Sequence, residues 1–424
     1  MNQGIKEKAE YCLNCKTKPC SQKGCPLNND IPAFINAIKE EKYKEAYKIL
    51  TKTTVLPAIC GRICPHYKQC MGSCVRGIKG SPVEIGTLEA FIGDLAIEKV
   101  YKICLPIIEN NNEPKKAKNI AIIGGGPAGL TAAAFLSMEG HKVTIYEKYD
   151  YLGGLLVHGI PEFRLTKETI RKSVDQILKL GIKVKYNQEL GRNTQLQELE
   201  QKYDNIILAF GANVSLKMGI QGEGLDGVYG GNELLEYNFH PDYTGKTVIV
   251  NGGGNVAMDT SRTIKRLGAK RVIVVYRRSR EQMPAEQKEI EEAINEGVEF
   301  LFQNNIVKII GENKVEKIEL VNTELVKKEG ETRLYPMNIE NSNYQIDADF
   351  IVMAIGSHPS SFVKNLGLEL NENGYIKTNE NGQTSNPKIY AIGDLTGNKS
   401  TVAWASSSGR NVAEKINLGW DWMI

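Results

Sequence analysis

The sequence predicts an α/β protein with two Rossmann-like dinucleotide-binding domains, preceded by an α-helical, cysteine-rich domain. Three observations predict it. Gly124, Gly126 and Gly129 form a G-x-G-x-x-G motif; Gly252, Gly254 and Ala257 form a G-x-G-x-x-A motif; and all nine cysteines fall in the first quarter of a 424-residue chain. That length accommodates two or three domains.

Residues 1–108 read as the first domain. Asp30 is placed as the N-cap of a helix over I-P-A-F-I-N-A-I-K-E. A second short helix is predicted over Tyr43 to Leu50. A longer one starts at about Thr87, with Leu88, Phe91, Ile92, Leu95 and Ala96 on one face. Two cysteine-rich loops lie between these helices. With few strands and little apolar mass, the domain is expected to rely on bound metal for stability. Residues 109–118, E-N-N-N-E-P-K-K-A-K, read as a linker.

Ile120 to Ile123 reads as a buried strand. Gly124 then permits a tight turn, Gly126 lets the backbone approach a pyrophosphate, and Gly129 lets a helix pack close to the strand. The Ala-rich helix that follows offers its N-terminal amides to phosphate and ends at Gly140. A strand from Val143 to Tyr146 delivers Glu147 about 20 residues past the glycines, where a ribose hydroxyl is expected. Leu152 to Arg164 forms a second turn region, and Ile206 to Ala212 a further buried strand.

The second motif repeats the pattern. Thr247 to Val250 is a strand, the helix after Gly252, Gly254 and Asn255 ends near Gly268, and a strand from Val272 to Tyr276 delivers Arg277 and Arg278 in place of an acid. Two arginines there suit a 2′-phosphate and favour NADP(H) over NAD(H). The competing reading is a solvated basic strand end. Phe350 to Gly356 closes this domain; the tail holds A-I-G-D at 391–394 and a helix over Thr401 to Arg410. One nucleotide domain, 116–240 and 356–424, is thus interrupted by the other, 241–355.

The composition is that of an ordinary globular protein, 24% charged and 41% hydrophobic with a net charge of +3. It points to no nucleic-acid partner. No apolar run reaches about 18 residues, so no membrane span is expected. The N-terminus, M-N-Q-G-I-K-E-K-A-E, lacks the apolar core of a signal peptide, so a cytoplasmic location is expected. In a reducing compartment, clustered cysteines argue for metal rather than disulfides. One block holds Cys12, Cys15, Cys20 and Cys25; the other holds Cys60, Cys64, Cys70 and Cys74. Thiolates in short loops suit zinc or iron–sulfur clusters. The five histidines, by contrast, form no metal-ligand spacing.

Two nucleotide sites in one chain call for a reason. Nicotinamide delivers two electrons as hydride, and a flavin accepts the pair and releases electrons singly. The pairing assigns FAD to the first site and NADP(H) to the second. Zinc offers electrons no path, so beside a flavin the iron–sulfur reading is favoured. The fingerprint ending in Glu147, the two strand–glycine motifs and A-I-G-D together resemble the two-dinucleotide-binding, glutathione-reductase-like flavoprotein fold. That resemblance implies that Asp394 binds the FAD ribityl chain. Many such proteins pass electrons to a redox disulfide, but no cysteine follows Cys104 here. The N-terminal cysteines supply the alternative route.

From Cys12 to about Arg410, the motifs C-G-R-I-C-P, P-V-E-I-G-T-L-E, G-G-G-P-A-G-L and Y-R-R-S-R-E-Q-M-P-A resemble the NADPH-dependent glutamate synthase small-subunit family. Similar domains occur in dihydropyrimidine dehydrogenase and in the large subunit of the bifurcating ferredoxin:NADP transhydrogenase. The resemblance implies two [4Fe-4S] clusters, one held by Cys12, Cys15, Cys20 and Cys74. Cys25, Cys64 and Cys70 would hold the other, with Glu89 as a harder fourth ligand where some relatives use glutamine. A solvated surface residue is the competing reading of Glu89. Cys60 and Cys104 are left as small buried hydrophobes. Gly153, Gly154, Arg164, Gly393 and Asp394 would line FAD; Gly252, Gly254, Asn255, Arg277 and Arg278 would line NADP(H).

The expected function is an NADPH-dependent flavin and iron–sulfur oxidoreductase that hands electrons to a larger partner subunit or a ferredoxin-like acceptor. No acid–base residue is assigned, because geometry does most of the work of hydride transfer. The competing enzyme readings are the reductase half of a dihydropyrimidine dehydrogenase and the bifurcating transhydrogenase subunit. A non-catalytic iron–sulfur docking module is the competing reading of another class.

Overall fold

The computed structural model describes residues 2–103, 117–327 and 334–418. Cys104 and nearly all of the expected linker lie outside the described residues. The chain divides into two compact units. One comprises Met1–Val157, Glu162–Ala212 and Pro359–Ile424; the other comprises His158–Pro161 and Asn213–His358. No helix among the described residues is long and apolar enough to cross a membrane.

The first unit opens with five helices: α1 (Asn2–Glu10), α2 (Ile31–Lys39), α3 (Tyr43–Leu50), α4 (Pro57–Ile63) and α5 (Ile85–Glu98). Asp30 caps α2, its carboxylate accepting from the Ala33 amide at 3.3 Å. Leu27, Phe34, Ile35, Ile38, Tyr47, Leu50, Leu56, Ile59, Ile85, Leu88 and Ile92 are fully buried. At roughly 1.5–3 kcal/mol per large side chain, they form a real hydrophobic core. The expectation of too little apolar mass is therefore corrected. The apolar residues are spread over several short helices, so no single stretch announces a core.

Helices α4 and α5 cross closely because glycines face each neighbour. A Cβ on Gly61 would lie 2.3 Å from the Ala90 amide nitrogen, and one on Gly93 would lie 2.2 Å from the Ala58 amide nitrogen. This approach sets the helix carrying Cys60 directly against the helix carrying Glu89.

The first nucleotide domain follows: β1 (Asn119–Ile123), α6 (Pro127–Met138), β2 (Lys142–Tyr146), α7 (Leu155–His158), α8 (Lys167–Leu178), β3 (Lys183–Lys185), α9 (Leu196–Lys202) and β4 (Asn205–Leu208). The second unit begins with β5 (Val214–Ser215), β6 (Val228–Gly230) and α10 (Gly231–Tyr237). Next come β7 (Thr247–Asn251), α11 (Asn255–Arg266), β8 (Arg271–Tyr276), α12 (Gln287–Asn295) and β9 (Glu299–Phe302). A meander follows, of β10 (Asn304–Ile310), β11 (Lys317–Lys327), β12 (Leu334–Asn338) and β13 (Tyr344–Asp347). The unit ends with β14 (Phe350–Met353) and β15 (Ser357–His358), and the chain returns to the first unit for β16 (Ile389–Ala391) and α13 (Val402–Leu418).

Each unit contains a five-stranded parallel sheet, in the orders β16-β4-β1-β2-β3 and β6-β14-β7-β8-β9. In both, the glycine turn follows a central strand, where the crossover changes direction and ligands bind at the strands' carboxyl ends. The second sheet takes β6 as its edge strand. Residues 213–240, which hold β5, β6 and α10, fall with the second unit, so the expected boundary at 240/241 lies two strands and one helix past the edge of that unit.

Candidate cofactor sites

In the first nucleotide site, Gly124 has φ +105°, and a Cβ there would meet the Ala209 carbonyl oxygen at 2.6 Å. Only glycine satisfies both conditions. Gly126 is the N-cap of α6 and offers no side chain to the first-turn amides. Those donors stay available to a phosphate. Glu147 is buried at the end of β2; one carboxylate oxygen accepts from the Gly125 amide at 2.8 Å, the other from the Tyr149 amide at 3.1 Å. Burial still pushes its carboxyl above the usual range. Gly154 approaches Gly126 backbone to backbone, with a built Cβ 2.9 Å from the Gly126 Cα. Arg164 is half-buried on the segment leading into α8.

Gly393 and Asp394 follow β16, and the packing of α13 on α6 brings them to the same motif. A Cβ on Gly409 would lie 2.3 Å from the Ala128 carbonyl oxygen, and one on Gly393 would lie 3.2 Å from the Ala128 Cβ. Asp394 is half-buried, and burial pushes its carboxyl up to about 6. Its carboxylate makes no hydrogen bond among the described residues. A desolvated acceptor beside an uncapped helix N-terminus fits a ligand bearing hydroxyls and phosphates, as FAD does.

The second site repeats this geometry. Gly252 has φ +145°, a Cβ there would meet the Ala354 carbonyl oxygen at 2.1 Å, and Gly254 is the uncapped N-cap of α11. The loop after β8 folds back on the turn. The Ala285 amide donates to the Gly253 carbonyl at 3.0 Å, and the Glu286 amide donates to the Asn255 side chain at 3.2 Å. A capping box of Ser279 and Gln282 stiffens this loop. The two arginines point to different environments, since Arg277 is exposed and Arg278 is buried. Arg280, half-buried one turn on, was not singled out by the sequence reading although it stands in the same R-R-S-R run.

The cysteines fall into two groups. Cys12, Cys15, Cys20 and Cys74 line one small cavity. The Cys20 thiol is pushed up to about 11, first by burial and then by Cys74 and Cys12. In the other group, burial and then Glu89 push the Cys25 thiol up to about 12 and raise that of Cys70. The Cys64 thiol is raised by its hydrogen bond to Cys60, by burial, and by the charges of Cys60 and Glu89. Glu89 itself is 5% exposed, and burial pushes its carboxyl up to about 8. It accepts from the Asn29 side-chain amide at 3.3 Å, and its charge acts on the thiols of Cys25, Cys64 and Cys70, so it is not a solvated surface residue. Cys60 is also buried, beside Cys64.

Thiols and a carboxylate this costly to ionise in empty protein suit metal, which binds the deprotonated forms and releases the protons. Among the described residues, no three His, Cys, Asp or Glu side chains converge on a point that would hold a single ion. The chemistry of the donors, four thiols lining one cavity and three more on which the Glu89 charge acts, suits iron–sulfur clusters.

One connection was not anticipated. On α13, the Arg410 guanidinium donates to the Leu27 carbonyl at 2.7 Å and to the Thr53 carbonyl at 3.4 Å. The Thr53 hydroxyl donates to the Asn29 side-chain oxygen at 2.6 Å, and the Asn29 amide donates to Glu89 at 3.3 Å. The helix that packs on the first glycine turn is therefore linked by hydrogen bonds to the buried carboxylate among the thiols.

Comparison with known proteins agrees with this geometry. Residues 118–409 match the model of the pyridine nucleotide-disulphide oxidoreductase family, and residues 1–101 match that of dihydropyrimidine dehydrogenase domain II, 4Fe-4S cluster. The glutamate synthase [NADPH] small chain of Escherichia coli K12 is 35% identical over 98% of this chain and 91% of its own. The NADPH-Fe(3+) oxidoreductase subunit beta of Geobacter sulfurreducens is 37% identical over 84% of this chain and 53% of its own. Among solved structures, Mycobacterium tuberculosis FprA in complex with NADPH superposes with a TM-score of 0.65 at 22% identity, covering 72% of this chain and 85% of that one, which shows a shared fold.

Proposed function

Since the chain belongs to the pyridine nucleotide-disulphide oxidoreductase family and matches glutamate synthase small chains along almost its whole length, we propose that it works as their kind of enzyme, an NADPH-dependent flavin and iron–sulfur oxidoreductase. When bound, FAD would supply an acceptor for one hydride, that is one electron pair, from NADPH, and the clusters would supply a path for single electrons. The carrying observation is that one compact unit holds both an uncapped, glycine-turned nucleotide site and two separate groups of thiols.

The chain's own residues do the following. Gly124, Gly126, Gly129, Gly153 and Gly154 clear backbone space for FAD. Glu147 and Asp394 accept from its hydroxyls, and Gly393 and Arg164 complete the lining. Gly252, Gly254 and Asn255 shape the NADPH turn, and Arg277 offers an exposed guanidinium to the 2′-phosphate, with Arg278 buried behind it. Cys12, Cys15, Cys20 and Cys74 hold one cluster; Cys25, Cys64, Cys70 and Glu89 hold the other. Residues 1–108 form the cluster domain. The names "small chain" and "subunit beta" carried by relatives support a larger partner subunit; the electron acceptor is that subunit or a ferredoxin-like protein. A reducing cytoplasm would keep the thiols available to iron.

Anaerobic purification tests this reading. About eight irons per chain, one FAD and bleaching of the flavin by NADPH are expected. Stoichiometric zinc without iron would refute it.

A further inference from the structure

The two groups of thiols differ in depth. Cys64 and Cys70 are buried with Glu89 and Cys25 beside them is partly covered, whereas in the other group only Cys20 is buried and Cys12, Cys15 and Cys74 are partly covered. Beside the shallower group the surface is apolar. Leu13 is 51% exposed, Val75 37% and Ile78 77%. Leu13 and Val75 also line the cavity with Cys12, Cys15, Cys20 and Cys74, and Ile78 stands on the same short turn as Val75. A single exposed apolar residue is unremarkable, but two in the lining of one cavity, with Ile78 on the same turn as one of them, form a patch.

The sequence on either side of the patch is rich in basic residues, although Glu10 precedes Tyr11 and Arg62 pairs with Asp94. No Asp or Glu occurs between Tyr11 and Asn29, where Lys16, Lys18 and Lys23 lie. None occurs between Ala46 and Val83, a stretch that carries Lys48, Lys52, Arg62, Lys68, Arg76 and Lys79. The flanking acids are largely engaged: Asp30 pairs with Lys18, and Glu84 with Lys8. Arg76 stacks on the Tyr11 ring at 4.2 Å and donates to the Tyr11 carbonyl, fixing its position at the cavity wall. Lys16 and Lys79 are exposed and make no ion pair among the described residues. The whole chain carries only +3, so this face departs locally from the mean.

We propose that the face of Leu13, Val75 and Ile78, with Lys16, Arg76 and Lys79 around it, is the docking surface for an acidic protein that carries one electron at a time. This rests on the reading that the shallow thiols hold a cluster, and it adds where electrons leave and what kind of partner collects them. An apolar centre excludes water at the contact, and a basic rim steers a carboxylate-rich partner. For each turnover, one NADPH becomes NADP⁺ and a proton, and two carriers each gain one electron.

The test uses the holoenzyme with NADPH and three acceptors: a plant-type ferredoxin, which is acidic; cytochrome c, which is basic; and menadione, which is small and uncharged. The double variant Lys16→Glu/Lys79→Glu should lower kcat/KM for the ferredoxin about tenfold or more at low salt. The gap should close near 0.5 M salt, where charges are screened over about 4 Å. Ile78→Ser should raise KM for the ferredoxin and leave menadione reduction and iron content unchanged. Unchanged ferredoxin kinetics in both variants, or faster reduction of cytochrome c than of ferredoxin by the unmodified protein, overturns the docking proposal. Loss of iron in the double variant would assign the lysines to thiolate charge balance and overturn it too. Iron-free protein that does not oxidise NADPH would instead fail the underlying reading, and the docking surface with it.

Discussion

Replacing Asp394 by Asn should stabilise the flavin-free protein and weaken its hold on FAD. Burial pushes the carboxyl from 3.8 up to about 6, and no hydrogen bond to it offsets that cost among the described residues. Because the folded value is raised, the native state is favoured while the group is protonated and loses that advantage as pH climbs through about 6. At roughly 1.4 kcal/mol per unit, the gap becomes a penalty of about 3 kcal/mol at pH 8 and about half of that at pH 5. Asn keeps the shape and never ionises. Its amide adds the same offset at both pH values, so the telling quantity is the difference, roughly 1–2 kcal/mol more stabilisation at pH 8 than at pH 5. Denaturant unfolding of FAD-stripped protein at the two pH values measures it. Flavin fluorescence titration should show weaker FAD binding by the variant, since a carboxylate acceptor is lost. An advantage that is equal at both pH values, or that shrinks as pH rises, would refute the argument.

Glu89→Ala should remove about half of roughly eight irons and spare FAD, whereas Cys60→Ser should leave the iron unchanged; the reverse result by iron analysis would make Cys60 the ligand. Arg277→Ala should raise KM for NADPH about tenfold or more with little change for NADH, because a charge-assisted contact is lost. Arg278→Ala, at a buried position, should show mainly as a lower Tm; equal kinetic effects on both coenzymes would remove Arg277 from phosphate recognition. Arg410→Met should cost about 1.5–3 kcal/mol, the worth of a hydrogen bond from a charged donor, and should speed iron loss to a chelator. A variant as stable and iron-tight as the parent would show that the link through Leu27, Thr53, Asn29 and Glu89 holds nothing together.

Features held within a few neighbouring residues were legible from the sequence. Both glycine turns, the Asp30 cap, the helix from Tyr43 to Leu50 and the acid at the end of β2 are written in local spacing, because backbone conformation and capping act over one turn of chain. The meander from β10 to β13 was missed. The burial of β11 alternates irregularly, so its strands carry no clean period of two. The crossing of α4 and α5 was missed for a different reason: Gly61 and Gly93 read as weak points in helices until the partner backbone is seen. Least legible was the link from Arg410 to Leu27, whose ends lie 383 residues apart. No pattern in one sequence announces such a pair. Glu89 falls between these cases. An acid set beside Leu88 and one turn before Ile92, on the helix face that builds the core, violates the hydrophobic pattern, and a buried acid survives there only with a partner. The sequence thus marks the anomaly, and the thiols of Cys25, Cys64 and Cys70 around it give the anomaly a chemical reason.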